Sequence, residues 1–259
     1  SRCLAFTKIA RITLVTASWD PIDKYFAVPR ITYEFTHPAV YRSLHECAWI
    51  IVEPATVEAA EDEDDDVTGP FDMASGAPAY VQQIFAIPSL LNKIEQPGKH
   101  WLIAGNSRTV THDLIATALV ERGWNGLVLN GKEKAVRFFN GDPPINFTEY
   151  NKDKLEPKDV LEKLFNEYPQ LNDAPFFITG LNCIKEGITF QGHAFMLDGA
   201  ILPNISSPSD AYQLGCRLNG NLKGLEIYPD YAKPLVITTS RMEQKIKKHK
   251  NQIDLTLIK

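Results

Sequence analysis

The chain has 259 residues, of which 44% are hydrophobic and 23% charged, and its formal net charge is −5. These proportions are close to those of ordinary globular proteins, which excludes a wholly disordered chain and a collagen-like repeat. No run of about 18 apolar residues occurs, so the sequence predicts no transmembrane helix and no membrane partner. The amino terminus resembles neither a signal peptide nor a transit peptide, which favours an intracellular protein, in the cytoplasm or in the nucleus of a host.

The negative charge is concentrated in one short stretch. Seven acidic side chains lie between Glu58 and Asp66, and the rest of the chain carries 25 acidic and 27 basic side chains. Runs of like charge repel one another and are usually solvated loops. Together with the Gly and Pro residues that follow, the run predicts an acidic flexible linker over residues 55–78.

The residues before this linker form a short β-rich segment, 1–54. Strands are predicted at 9–18, 24–36 and 48–52. The first of them ends in the small polar residues Thr16, Ala17 and Ser18.

The residues after the linker, 79–259, alternate between short apolar strands and amphipathic helices. The first predicted helix covers 79–93, with a kink or break at Pro88. Further elements are predicted in chain order: strand 101–105, helix 109–122, strand 126–130, helix 157–168, strands 176–179 and 194–198, helix 209–217 and strand 235–239. A last helix begins at Ser240, whose hydroxyl is predicted to cap it, with Glu243 completing a capping box. This order predicts an α/β fold with a parallel sheet covered by helices on both faces.

Ligands of such folds bind at the carboxyl ends of the strands, and polar residues follow three of the predicted strands. Asn106, Ser107 and Arg108 come directly after strand 101–105 and lead into a helix. Backbone N–H groups at a helix amino terminus bind anions, so a phosphate of nucleic acid is one candidate ligand. The alternative is a helix cap that only stabilises the helix.

The other two segments are Thr179–Thr189 and Ser209–Asn221. The former follows a strand and contains Gly180 and Gly187, but many connections between a strand and a helix have this composition. The latter places Gln213 and Arg217 four residues apart, on one face of a helix. An arginine directed into a cleft stabilises a phosphoryl group in transfer, whereas the alternative is an ordinary pair of surface side chains.

In this order and at these intervals, the segments resemble the second RecA-like motor domain of a superfamily-2 helicase. Strand 101–105 with Asn106–Arg108 is similar to motif IV, residues 179–189 to motif V, and residues 213–220 to motif VI. Residues 16–18 are similar to motif III, which closes the first motor domain. The Glu186–Phe190 stretch is similar to the form in viral or phage DNA helicases of the replication-origin-binding type.

The resemblance implies an ATP-dependent nucleic-acid helicase or translocase, in which ATP and Mg²⁺ lie in the cleft between two motor domains. It assigns Gly187, Thr189, Gln213 and Arg217 to the ATP site, with Arg217 and Gln213 in catalysis. It implies that nucleic acid, with DNA favoured over RNA, is bound by residues of motifs IV and V: Asn106, Ser107, Arg108, Thr179 and Lys185.

Two departures from the family pattern concern the ATP site. The final motif VI arginine is replaced by Gly220, and the aspartate that often ends motif V is replaced by Thr189. No Gly-x-x-x-x-Gly-Lys-Ser/Thr loop occurs either, and this loop supplies the phosphate cradle. The resemblance therefore implies an upstream P-loop domain in the same polypeptide that holds most of the ATP and Mg²⁺ contacts, and this chain alone is expected to be inactive.

Two other interpretations of the sequence remain. One is a degenerate α/β module that binds nucleic acid or acts as a scaffold without catalysis. The other is an unrelated nucleotide-binding α/β enzyme such as a transferase. The scattered cysteines and histidines predict no metal site, and five aromatic residues in or beside strands are interpreted as core rather than as base-stacking platforms: Trp101, Trp124, Phe176, Phe177 and Phe195.

Overall fold

The computed structural model describes residues 41–55, 76–153, 155–185, 190–205, 207–220 and 233–258. The first two predicted strands, residues 16–18, the acidic run, Gly187 and Thr189 lie outside these residues. The described strands are Ala48–Ile51 (β1), His100–Ala104 (β2), Asn125–Leu129 (β3), Lys134–Arg137 (β4), Ile145–Asn146 (β5), Phe176–Gly180 (β6), Gly199–Leu202 (β7) and Leu235–Thr238 (β8).

These strands form one sheet in the order β1-β8-β7-β2-β6-β3-β4-β5. The six strands from β1 to β3 in this order are parallel, and β4 and β5 continue the sheet antiparallel at one edge. Every residue of β2, β3, β6 and β7 is buried. Strands buried on both faces read as continuous apolar runs, which is why the sequence identified most of them.

The described helices cover both faces of the sheet. They are Gly76–Phe85 (α1), Pro88–Ile94 (α2), Thr109–Glu121 (α3), Phe147–Tyr150 (α4), Pro157–Glu167 (α5), Asn182–Lys185 (α6), Pro208–Gly215 (α7) and Ser240–Ile258 (α8). The α1, α2 and α3 helices pack with Trp101 and Ile103 on one face. The α5 to α8 helices pack with Leu102 and Ala104 on the other. The predicted α/β fold, a parallel sheet with helices on both faces, is confirmed.

The helical region after the linker agrees with the prediction at Pro88 and differs from it at its start. Of the predicted kink or break at Pro88, the structure has the break: Pro88 begins a new helix, because it lacks the N–H that would continue the preceding one. Helix α1 begins at Gly76, so the last three residues of the predicted 55–78 linker are helical. Residues 56–75 lie outside the described part of the chain.

The predicted strand 194–198 is wrong. These residues connect to β7, which begins at Gly199. Phe195, Met196 and Leu197 are buried without pairing as a strand, and the Phe195 ring stacks on His100 with the ring centroids 4.3 Å apart. The apolar run therefore indicated burial correctly, but its side chains fill the core beneath the end of β2.

The described end of the 1–54 segment belongs to the same sheet as the rest of the chain. Strand β1 pairs in parallel with β8, from Ala48 opposite Leu235 to Ile51 opposite Thr238. The predicted boundary at residue 55 therefore does not separate two sheets. The resemblance assigns the whole segment 1–54 to the end of a first motor domain, and this assignment stays a prediction, since residues 1–40 lie outside the described ones.

Helix α8 begins at Ser240, as predicted, but its cap is the preceding residue. The Thr239 hydroxyl accepts a hydrogen bond from Met242 N at 3.1 Å and donates one to Asn204 Oδ1 at 2.6 Å. The Ser240 hydroxyl instead bonds to the Glu53 carboxylate, beyond the end of β1. The predicted Ser240 cap is therefore wrong by one residue.

Candidate nucleic-acid and nucleotide sites

The connections that follow β2 and β6 leave the sheet on opposite faces. These strands are neighbours in parallel register, with Ala104 opposite Gly180. After β2 the chain enters α3, which packs on one face through Ile115. After β6 it enters α6, whose Ile184 packs on the other face. Divergence of this kind between adjacent parallel strands leaves a crevice at the carboxyl edge of the sheet, where α/β proteins bind ligands.

Two glycines let the backbones at this crevice approach closely. Gly105 N donates to the Gly180 carbonyl oxygen at 3.2 Å. A Cβ on Gly180 would lie 2.2 Å from the Leu129 carbonyl oxygen, and one on Gly105 would lie 2.1 Å from Cδ2 of His112. Larger residues at these positions would displace the two connections.

Asn106 builds the turn between β2 and α3. Its side-chain Oδ1 accepts hydrogen bonds from Arg108 N at 2.8 Å and from the Thr111 hydroxyl at 2.9 Å. His112 Nε2 donates to the Asn106 carbonyl oxygen at 2.8 Å. The amide oxygen of Asn106 is therefore used inside the turn, although Asn106 does not cap the helix, whose N-cap residue is Arg108.

Ser107 and Arg108 occupy the position that the motif IV resemblance predicted. Ser107 is exposed and Arg108 is half-buried, and both directly precede the first residue of α3, Thr109. Lys185 ends α6, which follows the neighbouring strand β6. The structure thus places these three residues on the two connections that flank the crevice.

Thr179 does not fit the contact predicted for it. The residue is fully buried within β6 and precedes the carboxyl end of that strand. Because side chains alternate along a strand, Thr179 lies on the same face as Phe177, beneath the helical layer. Its hydroxyl has no access to a phosphate at the sheet edge, so the sequence overestimated its role.

Gln213 and Arg217 lie together at the end of α7. Arg217 follows α7 in a single 3-10 turn, Cys216–Leu218, and its Nε donates to the Gln213 carbonyl oxygen at 3.2 Å. Burial lowers the pKa of Arg217 from its ordinary value, and the neighbouring Cys216 thiol raises it. Gln213 Oε1 is buried and accepts no hydrogen bond from the residues that the structure describes.

Two residues near Arg217 carry no sequence signal that we used. Arg42 is fully buried, and Gln191 is nearly so. Gln191 Nε2 donates to the Arg217 carbonyl oxygen at 2.8 Å, while Arg42 Nε donates to the Leu218 carbonyl oxygen at 2.7 Å. Both were missed because neither belongs to a recognised motif, and only the fold brings them next to residue 217.

Among the described residues, the turn at Arg217 and the turn Asn106–Arg108 lie at opposite edges of the sheet. Gln191 Oε1 accepts from Leu197 N, and Asp198 N donates to the carbonyl of His100, the first residue of β2. The turn at Arg217 is thus next to the amino-terminal edge. Asn106 follows the other end of β2, and five residues at about 3.3 Å each separate the two edges by roughly 16 Å.

The described residues supply no ligand set for a metal ion. They contain no group of three or more His, Cys, Asp or Glu side chains placed to hold one. Burial raises the pKa of the Cys47 and Cys216 thiols to about 11 in each case. The five aromatic residues interpreted as core are all buried, which confirms that interpretation. No helix in the part described is both long and apolar enough to cross a membrane.

No protein-family model and no curated protein matches the chain. Among solved structures, the chain is similar to the C-terminal part of the Fun30 ATPase domain, with a TM-score of 0.38 and 16% sequence identity. The match covers 68% of this chain and 45% of that one, so this chain spans less than half of that structure's length. A likeness at this level carries no argument about function.

Proposed function

We propose that this chain is the second motor domain of an ATP-dependent nucleic-acid helicase or translocase. The observation that carries the proposal is that the connections after β2 and β6 leave the sheet on opposite faces, since the segments that resemble motifs IV and V begin there. In this role the domain grips the phosphate backbone and completes the ATP site of an upstream P-loop domain. DNA over RNA, and a viral or phage type, belong to the same proposal and rest on the sequence resemblance alone.

The nucleic-acid contact is assigned to the residues beside the crevice. Ser107 and Arg108 stand at the amino terminus of α3, a helix of 13 residues whose first N–H groups favour an anion. Lys185, at the end of α6, adds a cation from the neighbouring connection. Contacts of these kinds hold phosphates without reading sequence and weaken as salt increases. Asn106 shapes the turn, and Thr179 is not part of the contact.

The nucleotide contact is assigned to Arg217 and Gln213. A half-buried guanidinium stabilises charge on a phosphoryl group more strongly than an exposed one, because water screens it less. The unused Gln213 Oε1 is an acceptor for a donor from across the cleft. Gly187 and Thr189 stay assigned to the same site by resemblance. ATP supplies the phosphoryl group, and Mg²⁺ is held by the upstream domain, since the described residues offer no ligand set for it.

A second candidate function is a degenerate module that binds nucleic acid without catalysis. Gly220 stands where the family has its final arginine, and its N–H and C=O both pair with the backbone of Arg42. The backbone of Gly220 is therefore used to hold the segment that contains Arg42. In this case Arg217 would be a structural residue at the end of α7.

The test is nucleic-acid-stimulated ATP hydrolysis by the full-length natural protein. Replacing Arg217 with Ala is expected to lower kcat by at least about 100-fold, since such arginines contribute about 10³–10⁵ to turnover. Arg122→Ala is the matched control, because Arg122 pairs with Glu95 on the surface, at the end of α3. Unchanged turnover in Arg217→Ala would refute the catalytic role, and absence of ATPase activity with retained nucleic-acid binding would favour the degenerate module.

The backbone contact is tested in the same protein by titrating a fluorescent single strand of DNA or RNA. Arg108→Ala is expected to weaken binding several-fold and to reduce the dependence of log K on log salt by about 0.7, the value for one phosphate of a single strand. Arg122→Ala is again the control. A nucleotide sugar or dinucleotide bound at residues 105–109 in place of nucleic acid would instead support an unrelated transferase-type enzyme.

A further inference from the structure

A buried arginine from the amino-terminal side of the linker holds the turn that follows Arg217. Arg42 is 0% exposed, and its Nε donates to the Leu218 carbonyl oxygen at 2.7 Å. The backbones of Arg42 and Gly220 also pair in both directions, with N···O distances of 2.6 and 3.1 Å. Residues 218 and 220 are therefore fixed by a segment that is more than 170 positions away in the chain.

Gln191 connects Arg42 to this turn through both ends of its amide. Its Oε1 accepts from Arg42 Nη2 at 2.5 Å and from Leu197 N at 2.9 Å. Its Nε2 donates to the carbonyl oxygens of Arg217 at 2.8 Å and of Asn219 at 3.2 Å. One buried side chain thus joins the 41–47 segment, the connection into β7 and the main chain of Arg217.

We propose that Arg42 and Gln191 are positioning residues for Arg217. Together they fix the main chain from the Arg217 carbonyl to Gly220, so that the Arg217 side chain is presented from a rigid turn rather than from a free helix end. The inference rests on the proposed function and extends it, because it makes residues before the linker part of the nucleotide site. No contact of Arg42 or Gln191 with nucleotide is implied.

The chemistry of the two side chains supports positioning over simple filling of the core. Burying a guanidinium and an amide costs free energy that an apolar side chain of similar size avoids. These two buried side chains nevertheless donate hydrogen bonds to four main-chain carbonyls, those of Leu197, Arg217, Leu218 and Asn219. Directional bonds of this kind fix where a backbone lies, whereas apolar contacts only fill the space around it.

The decisive variant is Gln191→Glu in the full-length protein. Glutamate keeps the size of the side chain and its oxygen toward Arg42, but replaces the donor that holds Arg217 and Asn219 with an oxygen that repels their carbonyls. A misplacement of about 1 Å can lower turnover by about 100-fold. We expect kcat to fall about 10- to 100-fold with KM for ATP changed less than about twofold, because the lost contact acts on the transition state.

The controls separate positioning from stability. Gln83→Glu is matched, since Gln83 also joins two segments through both ends of its amide, accepting from Ala55 N and donating to the Glu53 carbonyl. It is expected to leave kcat unchanged. Adding Gln191→Glu to Arg217→Ala is expected to cause no further loss of kcat, as for two residues that act through one contact.

Hydrogen exchange provides a readout that does not depend on turnover. Gln191→Glu is expected to accelerate amide exchange in peptides covering 213–220 and 41–47, and to leave peptides covering 105–112 unchanged. If Gln191→Glu leaves amide exchange unchanged, the positioning role is refuted. It is also refuted if Gln191→Glu leaves kcat unchanged while Arg217→Ala lowers it. Neither result affects the proposed function. If Arg217→Ala itself turns over ATP normally, the proposed function fails instead, and exchange still decides whether Gln191 holds the turn.

Discussion

At the scale of single residues, Gly180 has the most restricted position at the candidate nucleic-acid site. A Cβ there would lie 2.2 Å from the carbonyl oxygen of Leu129, which is main chain in the neighbouring strand and cannot rotate away. The glycine in the motif V resemblance is therefore explained by packing between β6 and β3. The requirement is independent of any ligand.

Gly180→Ala is expected to destabilise the fold by about 1–3 kcal/mol, the usual cost of forcing an extra carbon into a packed site. Gly131→Ala is the matched control, because a Cβ on Gly131 meets nothing within 4 Å. Its effect is expected to stay within about 0.5 kcal/mol. Urea denaturation of both variants measures the difference, and equal midpoints would contradict the close approach seen here.

His112 links the stability of the turn between β2 and α3 to pH. Burial lowers the pKa of His112, and its hydrogen bond to the Asn106 carbonyl partly raises it again. The folded protein therefore keeps the ring neutral, whereas the unfolded chain takes up a proton below its ordinary pKa of about 6.5. Stability is fully present above that pH and falls as the pH decreases toward the lower pKa of the folded state.

His112→Gln is expected to flatten the dependence of the unfolding free energy on pH by up to about 1.4 kcal/mol per pH unit below about pH 6.5. The pKa of buried His100 is also lowered, mainly by burial, so the unfolding free energy of the variant is expected to keep some dependence on pH. The measurement is the free energy of unfolding in urea at several pH values. A variant with the same slope as the natural protein would show that His112 is not held neutral.

Residue roles were the least predictable part of the candidate site. The motifs located Ser107, Arg108, Gln213 and Arg217 on connections and helix ends, where the structure has them. They misjudged Thr179, because a periodic pattern does not tell which polar residue near a strand end is still inside the core. They missed Arg42 and Gln191, because contacts between distant segments leave no local pattern.

At the scale of elements, helices with strong periodicity were predicted to within one residue at either end. Helix 109–122 is observed as Thr109–Glu121, and helix 157–168 as Pro157–Glu167. The predicted strand 194–198 failed because its three buried apolar residues, Phe195 to Leu197, fit either a strand or a packed loop. Only pairing with a neighbouring strand distinguishes a strand from a packed loop, and the residues that pair with β2 begin one position later, in Gly199–Leu202.

The cap of α8 provides a direct test at this scale, since sequence and structure disagree about it. Thr239→Ala is expected to cost about 1–2 kcal/mol, because it removes the cap of Met242 N together with the bond to Asn204. Ser240→Ala is expected to cost less, since its hydroxyl contacts only Glu53 at an exposed site. Thermal or urea unfolding that ranks the two variants in the opposite order would restore Ser240 as the cap.

At the scale of the molecule, composition and alternation identified the α/β class but not the sheet order. The order places β2 in the interior, with β6 and β3 on one side and β7, β8 and β1 on the other. Neighbours in this sheet are mostly not neighbours in sequence, so no local rule could assign them. The divergence of the connections at the carboxyl edge follows from that order, which is why only the structure shows that the connections after β2 and β6 begin side by side.

The pairing of β1 with β8 also determines when the fold can be completed. Glu53 at the end of β1 accepts a hydrogen bond from Ser240 N, 187 positions later in the chain. During synthesis, β1 leaves the ribosome long before its partner exists, and it must wait with an unpaired edge until β8 emerges. Contacts between such distant residues form slowly, because a long loop must close first. While the residues between β1 and β8 are synthesised, this edge of the nascent chain is therefore open to other proteins, including chaperones.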